Sequence, residues 1–268
     1  MESKSDLIDE EVGKELIKTK LDDEDLDINV IDLNEIEAKK INKEPGLYQT
    51  INIKYLDYEN IDLIEKITNN LAVLIKNVIS YLKLKEHKKI FIVGLGNKQV
   101  TPDAIGPRVI ENLIITNHLD NSDVKIACLA PGVMGQTGLE TAMITKSIVS
   151  YYKPDLVIAI DALATKNTKR LFRSIQLATS GIAPGSGVLN KRKEISNKTL
   201  GVDVLAIGVP SVCDIYSILN DYDIDENKLE DNLFLTTKDV DEAIDILSII
   251  IAKAINIALL NIEIQQDF

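Results

Sequence analysis

Two aspartates stand where the sequence predicts that strands of an α/β sheet end. Asp161 directly follows the apolar run 156–160, and Asp103 lies in the loop after the apolar run 89–93. Open α/β sheets bind ligands at the carboxyl ends of their strands, so both carboxylates are candidate catalytic groups. At the ends of two neighbouring strands, the two carboxylates could approach within a few ångströms. Like charges that close do not both ionise easily, so the pKa of one carboxyl group rises and that of the other falls. One can then act as a base on water while its protonated partner polarises a carbonyl, which is one solution to peptide hydrolysis.

Structural roles would also explain both aspartates. Asp103 follows Pro102 where a helix is predicted to begin, and Asp is a favoured N-cap residue. Asp161 would serve equally in a cap or an ion pair. Its partners would be the nearby Lys166, Lys169 or Arg170. Arg108 lies one helical turn beyond Asp103 and would either act electrostatically on the aspartate pair or be a surface charge. Exposed ion pairs contribute little free energy, which favours the surface role.

The glycine-rich loop after the run 89–93 does not fit a nucleotide-binding motif. A dinucleotide fingerprint would need a third glycine where Gln99 stands, and the sequence contains no Gly-Lys-Ser/Thr of a Walker loop. We therefore predict no cofactor. Gly94 and Gly96 are expected to let the backbone approach a substrate closely. Asn97 and Thr101 are the further candidates for substrate binding or structural support.

Other reactive side chains make weaker sites. The sequence has two histidines: His87 lies in a charged stretch, and His118 follows a predicted helix, whose carboxyl end favours a cationic histidine without catalysis. Ser186 lacks the glycine pattern of a nucleophile elbow. Cys213 is more typical of a small buried hydrophobic residue than of a nucleophile. No His, Cys or carboxylate cluster has metal-ligand spacing, so we predict no metal site.

Short apolar strands alternate with helical stretches along most of the chain. This pattern predicts an α/β fold with three layers around a mostly parallel central sheet. A further strand over 171–177 is predicted as an added antiparallel piece. The predicted strands are 28–33, 51–55, 89–93, 124–129, 156–160 and 204–207, and the predicted helices are 60–84, 104–116, 137–150 and 238–260.

Charge and composition narrow the class of protein. The chain has 30 Lys and Arg against 42 Asp and Glu, a net charge of −12, which argues against direct nucleic-acid binding and docking on anionic membranes. The apolar run 246–260 contains Lys253 and is too short to span a bilayer. Without a signal peptide pattern, a cytoplasmic location is expected. Residues 1–45, the most acidic part, are predicted as a mobile extension before a single domain over 46–268.

Five longer motifs closely resemble the germination protease family of spore-forming bacteria. They cover the aspartate-bearing segments 94–107 and 158–164, together with segments 131–141, 181–187 and 206–212. The resemblance implies a phosphorylase/hydrolase-like α/β fold. It also implies an atypical aspartic endopeptidase that degrades small acid-soluble spore proteins at germination in the spore core. The family's two catalytic aspartates match Asp103 and Asp161, and its members assemble as homotetramers.

The sequence departs from the family pattern at several places. Family members are zymogens that cleave themselves before a Thr-Asp-Leu-like stretch, which Ser5-Asp6-Leu7 resembles with only four residues before it. We therefore expect a vestigial propeptide or another restraint. The acidic stretch 221–231 is shorter than the family's insertion there. Ala183 replaces a usual His and Leu189 a usual Gly. A metal-assisted peptidase of the hydrogenase-maturation type and an inactive relative that binds spore proteins remain the alternatives.

Overall fold

A single sheet organises the chain. The computed structural model describes residues 5–83, 89–183, 193–214 and 233–260, and nine strands over these ranges join in this sheet. Their bounds are β1 (Lys18–Asp22), β2 (Leu26–Leu33), β3 (Gly46–Ile53), β4 (Lys89–Gly94), β5 (Lys125–Leu129), β6 (Leu156–Thr165), β7 (Ser174–Ala178), β8 (Asp203–Asp214) and β9 (Phe234–Leu235).

The sheet has a parallel part and an antiparallel part. Its strand order is β1-β2-β3-β7-β8-β6-β4-β5, with β9 paired to β8. The strands β8, β6, β4 and β5 are parallel, as the alternation of apolar runs and helices predicts. The neighbouring pairs β1–β2, β2–β3, β3–β7 and β7–β8 are antiparallel. The α/β fold is confirmed, and its antiparallel part is larger than the single predicted piece because β1, β2 and β3 join it.

Helices cover both faces and make three layers. They are α1 (Glu35–Lys40), α2 (Ile61–Tyr81), α3 (Ile105–Glu111), α4 (Met134–Thr137), α5 (Thr141–Tyr152), α6 (Asn197–Leu200) and α7 (Val240–Leu260). On one face α2, α3 and α7 enclose the largest group of buried apolar side chains. On the other face α5 and α6 cover a second group that includes Phe91, Val93 and Val157.

The last helix, α7, is the most apolar element. By length and composition it would be able to cross a membrane, but 67% of its apolar window is buried inside the protein. It packs against α2 and α3, with Leu247, Ile251 and Ile255 fully buried. A helix that is apolar around most of its surface belongs in the interior of a fold when other elements cover it. We therefore assign α7 to the core.

The predicted mobile extension over residues 1–45 is wrong for the described residues 5–45. Strand β2 forms where 28–33 was predicted, but β1 pairs with it and β2 pairs with β3, so both belong to the main sheet. Leu7 and Ile8 are 0% and 1% exposed. The acidic composition indicated a mobile segment. Its short apolar groups instead pack against residues that lie far away in the sequence.

Two predicted helices begin or end elsewhere. α3 ends at Glu111 rather than 116, because the amide of Ile114 bonds to Asn256 of α7 and those of Thr116 and Asn117 bond to Ile126. Tertiary hydrogen bonds thus replace helical ones. α5 begins at Thr141 with Glu140 at its N-cap. The predicted helix 137–150 therefore begins four residues later than expected, since Thr137 ends the separate helix α4.

Candidate active site

Neighbouring parallel strands place Asp161 at the predicted edge of the sheet. β4 pairs with β6 up to Gly94 opposite Ile160, and the amide of Leu95 then donates to the Ile160 carbonyl at 2.7 Å. Asp161 comes next on β6, opposite Gly208 of β8. Its side chain is 4% exposed, although Asp is rarely buried to this degree without specific partners. A buried carboxylate at a strand's carboxyl end is the kind of group that the crevice rule marks as functional.

Asp103 reaches the same edge from the loop after β4. It ends a short 3-10 turn, Thr101–Asp103, which contacts β6 and β8. Its carboxylate oxygen Oδ2 accepts a 2.7 Å hydrogen bond from the Asn97 amide. The N-cap of α3 is Ala104, one residue after Asp103. The N-cap interpretation of Asp103 is therefore wrong. The structure thus brings the turn that carries Asp103 against the strand that carries Asp161.

The glycines of the loop serve packing within the protein. Gly96 has φ +112°, and a Cβ there would collide with the backbone oxygen of Asp103. A Cβ at Gly94 would collide with the backbone of Gly106 in α3. Close packing against protein backbone therefore accounts for both glycines, and the approach of a substrate to Gly94 and Gly96 stays a prediction. These glycines let the Asp103 turn and α3 lie directly on β4. Structural support was the other role considered for them besides substrate binding.

Asn97 links the Asp103 turn to the next loop of the sheet edge. Its side-chain oxygen accepts from the Gln99 amide at 3.0 Å and from Gln136 Nε2 at 2.6 Å. Thr101 begins the turn, and its carbonyl accepts from Ala104. The sequence analysis missed Gln136. The signal was present, because Gln136 lies in a glycine-flanked segment just beyond the carboxyl end of β5, where the crevice rule applies as well.

The segment 5–11 was also missed as part of this edge. The amide of Asp6 donates to the Ala164 carbonyl at 3.0 Å, and the Ala164 amide donates to the Asp6 carboxylate at 2.9 Å. Glu10 accepts from the Thr165 hydroxyl and the Lys166 amide. β6 is therefore held, three residues beyond Asp161, by the chain's first described residues.

This segment also takes two of the basic residues proposed as ion-pair partners of Asp161. The Lys166 ammonium lies 2.8 Å from Glu11, and the Arg170 guanidinium pairs with Asp9. The carboxylate of Asp9 is 2% exposed, so this is a buried pair. An ion-pair role alone therefore explains Asp161 less well than it did on sequence proximity.

The remaining candidate groups lie apart from the two aspartates. Arg108 pairs with Asp245 of α7 at 3.6 Å, in agreement with a surface role. His118 is exposed, and Cys213 is buried in the core. Burial raises the pKa of the Cys128 thiol, which disfavours its nucleophilic form. Ala183 ends one described range. His87, Ser186, Leu189 and the stretch 221–231 lie outside the described residues.

Across residues 5–83, 89–183, 193–214 and 233–260, no group of three or more His, Cys, Asp or Glu side chains is placed to hold a metal ion. The Asp103 turn contacts β6, which carries Asp161. Carboxyl groups are of a residue type that can carry acid–base chemistry on water.

Comparisons with known proteins agree with the sequence motifs. A family model described as germination protease matches residues 2–227. The germination protease of Clostridium perfringens (strain SM101 / Type A) is 37% identical over 93% of this chain and 89% of its own length. That of Clostridium acetobutylicum is 38% identical over 88% of this chain and 85% of its own. That of Geobacillus sp. (strain WCH70) is 43% identical over 74% of this chain and 56% of its own.

A solved structure also matches, at lower similarity. It is the [NiFe] hydrogenase maturation protease HycI from Thermococcus kodakarensis KOD1, with a TM-score of 0.40 and 18% identity over 68% of this chain and 99% of that one. The family model and the curated relatives are the matches that identify the protein. This chain belongs to the germination protease family and is a peptidase of that family.

Proposed function

We propose that this chain is an endopeptidase that begins the degradation of small acid-soluble spore proteins at germination, with Asp103 and Asp161 activating water. The observation that carries the proposal is the contact of the Asp103 turn with β6, which carries Asp161. Membership of the germination protease family supports the peptidase class. The spore-protein substrate follows from the resemblance of the motifs.

The chemistry needs one base and one acid. The ionised carboxylate removes a proton from water as the water oxygen bonds to the scissile carbonyl carbon, and the protonated partner donates to the carbonyl oxygen. When the tetrahedral intermediate collapses, the C–N bond breaks and the leaving nitrogen takes a proton from the carboxyl that had accepted it from water. The hydroxyl on the former carbonyl oxygen returns its proton to the partner carboxylate as the C=O bond forms again. The pair then returns to its starting state. Because a coupled pair titrates as a unit, the two roles are not divided between Asp103 and Asp161.

Asp161 is buried, and Asp103 accepts a hydrogen bond from the Asn97 amide, so the two carboxyl groups have different surroundings. Two different surroundings are what a pair needs to hold one proton between two carboxylates. The proposal also includes assembly as a homotetramer and a location in the spore core. Sedimentation of the purified protein tests the homotetramer.

The test is cleavage of a purified small acid-soluble spore protein by the wild type and by Asp161→Asn, with a chelator present throughout. We expect Asp161→Asn to lower turnover by about a hundredfold or more, because loss of a general acid or base costs that much. Asp245→Asn is the matched control, since it removes the same charge from an exposed position on α7. It should cut at the wild-type rate.

Three outcomes would count against the proposal. Equal cutting by the wild type and Asp161→Asn would remove Asp161 from the mechanism. Loss of wild-type activity with the chelator and rescue by one metal would favour a metal-assisted peptidase. Binding of the spore protein without turnover would favour an inactive relative.

A further inference from the structure

Strand β6 continues past the end of its neighbour β4. The pairing of β4 with β6 stops at Gly94 opposite Ile160, whereas β6 remains paired with β8 as far as Thr165 opposite Cys213. Within the described chain, residues 161–165 of β6 therefore have a paired strand on one side only. The other side faces the crevice that the Asp103 turn borders.

Backbone groups on that side can be assigned from the hydrogen bonds at its two ends. The Ile160 carbonyl accepts from Leu95, and both the amide and the carbonyl of Ala164 bond to Asp6. In an extended strand, alternate residues direct their backbone groups to the same side. Ala162 lies midway, so its N–H and C=O face this edge too. None of the backbone–backbone hydrogen bonds that the described residues make outside regular helices and strands involves Ala162.

Burial along β6 supports an opening at this position. Nine of its ten residues are buried, and the exception is Ala162. Its neighbours Asp161, Leu163 and Ala164 are 4%, 6% and 2% exposed. Ala162, next to Asp161, is thus the least buried residue of β6. Buried backbone groups are nearly always hydrogen-bonded, so a polypeptide that covers this position would have to pair with the Ala162 N–H and C=O.

We propose that the substrate polypeptide binds as an extended strand along this edge of β6, pairing with the backbone of Ala162. Addition of a strand to an open sheet edge is a recurrent way to recognise peptides through their main chain. Ile160 and Ala164 are four residues apart, or roughly 13 Å at the rise of a parallel strand, which admits about three or four substrate residues. The inference rests on the proposed function, because it places the scissile bond next to Asp161.

Both ends of the open stretch are closed by the protein itself. Leu95 occupies the Ile160 carbonyl, and Asp6 occupies both backbone groups of Ala164. A bound peptide can therefore pair with only one residue of β6. The segment 5–7 fixes the register of the substrate relative to Asp161 and is, on this inference, a positioning element. A register set by main-chain bonds also makes binding depend little on substrate side chains.

Amide hydrogen exchange at Ala162 tests the inference directly. It is measured on Asp161→Asn, which should bind without cutting, with and without saturating purified small acid-soluble spore protein. We expect at least tenfold slower exchange at Ala162 when the spore protein is bound. The Ala164 amide is the internal control, because Asp6 already bonds to it, and its exchange should not change.

A variant gives a second readout in the wild-type background. Ala162→Pro removes the N–H, and proline is tolerated in strands where the N–H is unpaired. We expect KM for the spore protein to rise about tenfold with kcat nearly unchanged, in line with the loss of one hydrogen bond. If the variant fails to fold, as thermal unfolding would show, the exchange experiment decides alone.

The outcomes separate this inference from the proposed function. Cutting by the wild type with no protection of Ala162 would overturn the inference and leave the function. Protection of Ala162 without cutting by the wild type would support the edge as a binding site and overturn the function. Absence of both binding and cutting would overturn both.

Discussion

Asp161 is the most informative single residue of this chain. A carboxylate that is 4% exposed costs free energy unless its surroundings compensate, so proteins keep such groups mainly where they act. Its place beside the end of β4 could be predicted from the apolar run 156–160, although β6 itself continues past Asp161 to Thr165. Asp103 was located less firmly. Its true role depends on a turn that folds back over β4, which no local pattern describes.

Gly96 makes that turn possible, and its replacement is a test. Gly96→Ala places a methyl group against the Asp103 backbone at a φ of +112°, a conformation that side chains rarely adopt. We expect a loss of about 1–3 kcal/mol in the free energy of unfolding, as for other strained backbone positions. Because the Asp103 turn must move, kcat should fall by more than the unfolded fraction explains. Chemical denaturation and steady-state kinetics measure the two effects.

Gly135→Ala is the matched control for this substitution. Gly135 lies in α4, has no positive φ, and a Cβ there meets nothing within 4 Å. Its replacement should be neutral or slightly stabilising, because alanine reduces the freedom of the unfolded chain. A Gly96→Ala variant as stable and active as Gly135→Ala would show that the Asp103 turn tolerates displacement.

The roles of glycines and distant partners were the part of the site that sequence could not supply. A glycine signals conformational freedom, but the sequence does not say whether substrate or protein uses the space. Gly94 and Gly106 are close only because α3 folds back onto β4. Likewise Asp6 and Ala164 are 158 residues apart, and no periodicity connects them.

At the scale of elements, the turn between β1 and β2 shows how a charged run becomes ordered structure. Asp23 Oδ1 accepts from the amides of Asp25 and Leu26 at 2.9 Å each. Asp23 Oδ2 lies 2.9 Å from the Lys66 ammonium. This turn lies in the acidic stretch 1–45 that was predicted as a mobile extension, and its neighbouring acids repel one another. The hydrogen bonds of a turn and two lysines from elsewhere, Lys54 and Lys66, outweigh that repulsion.

This turn predicts a dependence of stability on acid pH. The Leu26 amide, followed by the Lys66 ammonium and the Asp25 amide, lowers the pKa of Asp23 to about 2 from 3.8. A carboxyl whose pKa is lower in the folded state contributes stability above its unfolded pKa, and that contribution is lost as pH falls from about 4 to 2. Asp23→Asn should therefore show a shallower loss of stability over this range.

Urea unfolding at intervals between pH 5 and 2 measures the effect. Asparagine still accepts the two amide bonds, so the variant isolates the charge. Asp245→Asn removes one negative charge elsewhere and controls for net charge. Parallel curves for the wild type and Asp23→Asn would contradict the prediction.

Elements whose partners are local in sequence were the predictable ones. The apolar spacing of α2 and the Ile and Val runs of β4 and β6 determine their own structure, because these residues need only a face or a sheet to bury them. β1 has an exposed, mainly charged sequence and forms only because β2 is beside it. α3 is shorter than its apolar pattern because Asn256 and Ile126 compete for its last amides.

At the scale of the whole molecule, segment 5–11 belongs to one cooperative unit with the sheet. Ile8 is 1% exposed, and its amide donates to the Gln176 side chain of β7 at 2.7 Å. Ile8→Ala should lower the free energy of unfolding by about 2–5 kcal/mol, as buried truncations do. Ile36→Ala, at a 70% exposed position, should change it by no more than about 0.5 kcal/mol.

The shape of the unfolding curve carries the rest of this prediction. If the segment is part of one unit, Ile8→Ala shifts a single transition that circular dichroism and tyrosine fluorescence report together. A separate early transition, with the main one unmoved, would show that the segment detaches alone.

The bond between Asp6 and Ala164 also sets an order of events during synthesis. Residues 5–11 are synthesised before β6, and Ala164 follows Asp6 by 158 residues. At typical rates of about 5–20 residues per second, this delay is roughly 10–30 s. During that time Leu7 and Ile8 are not yet buried in the core, and the bond between Asp6 and Ala164 has not formed. Until Ala164 has been made, segment 5–11 therefore lacks the partner on β6 that holds it in the folded protein.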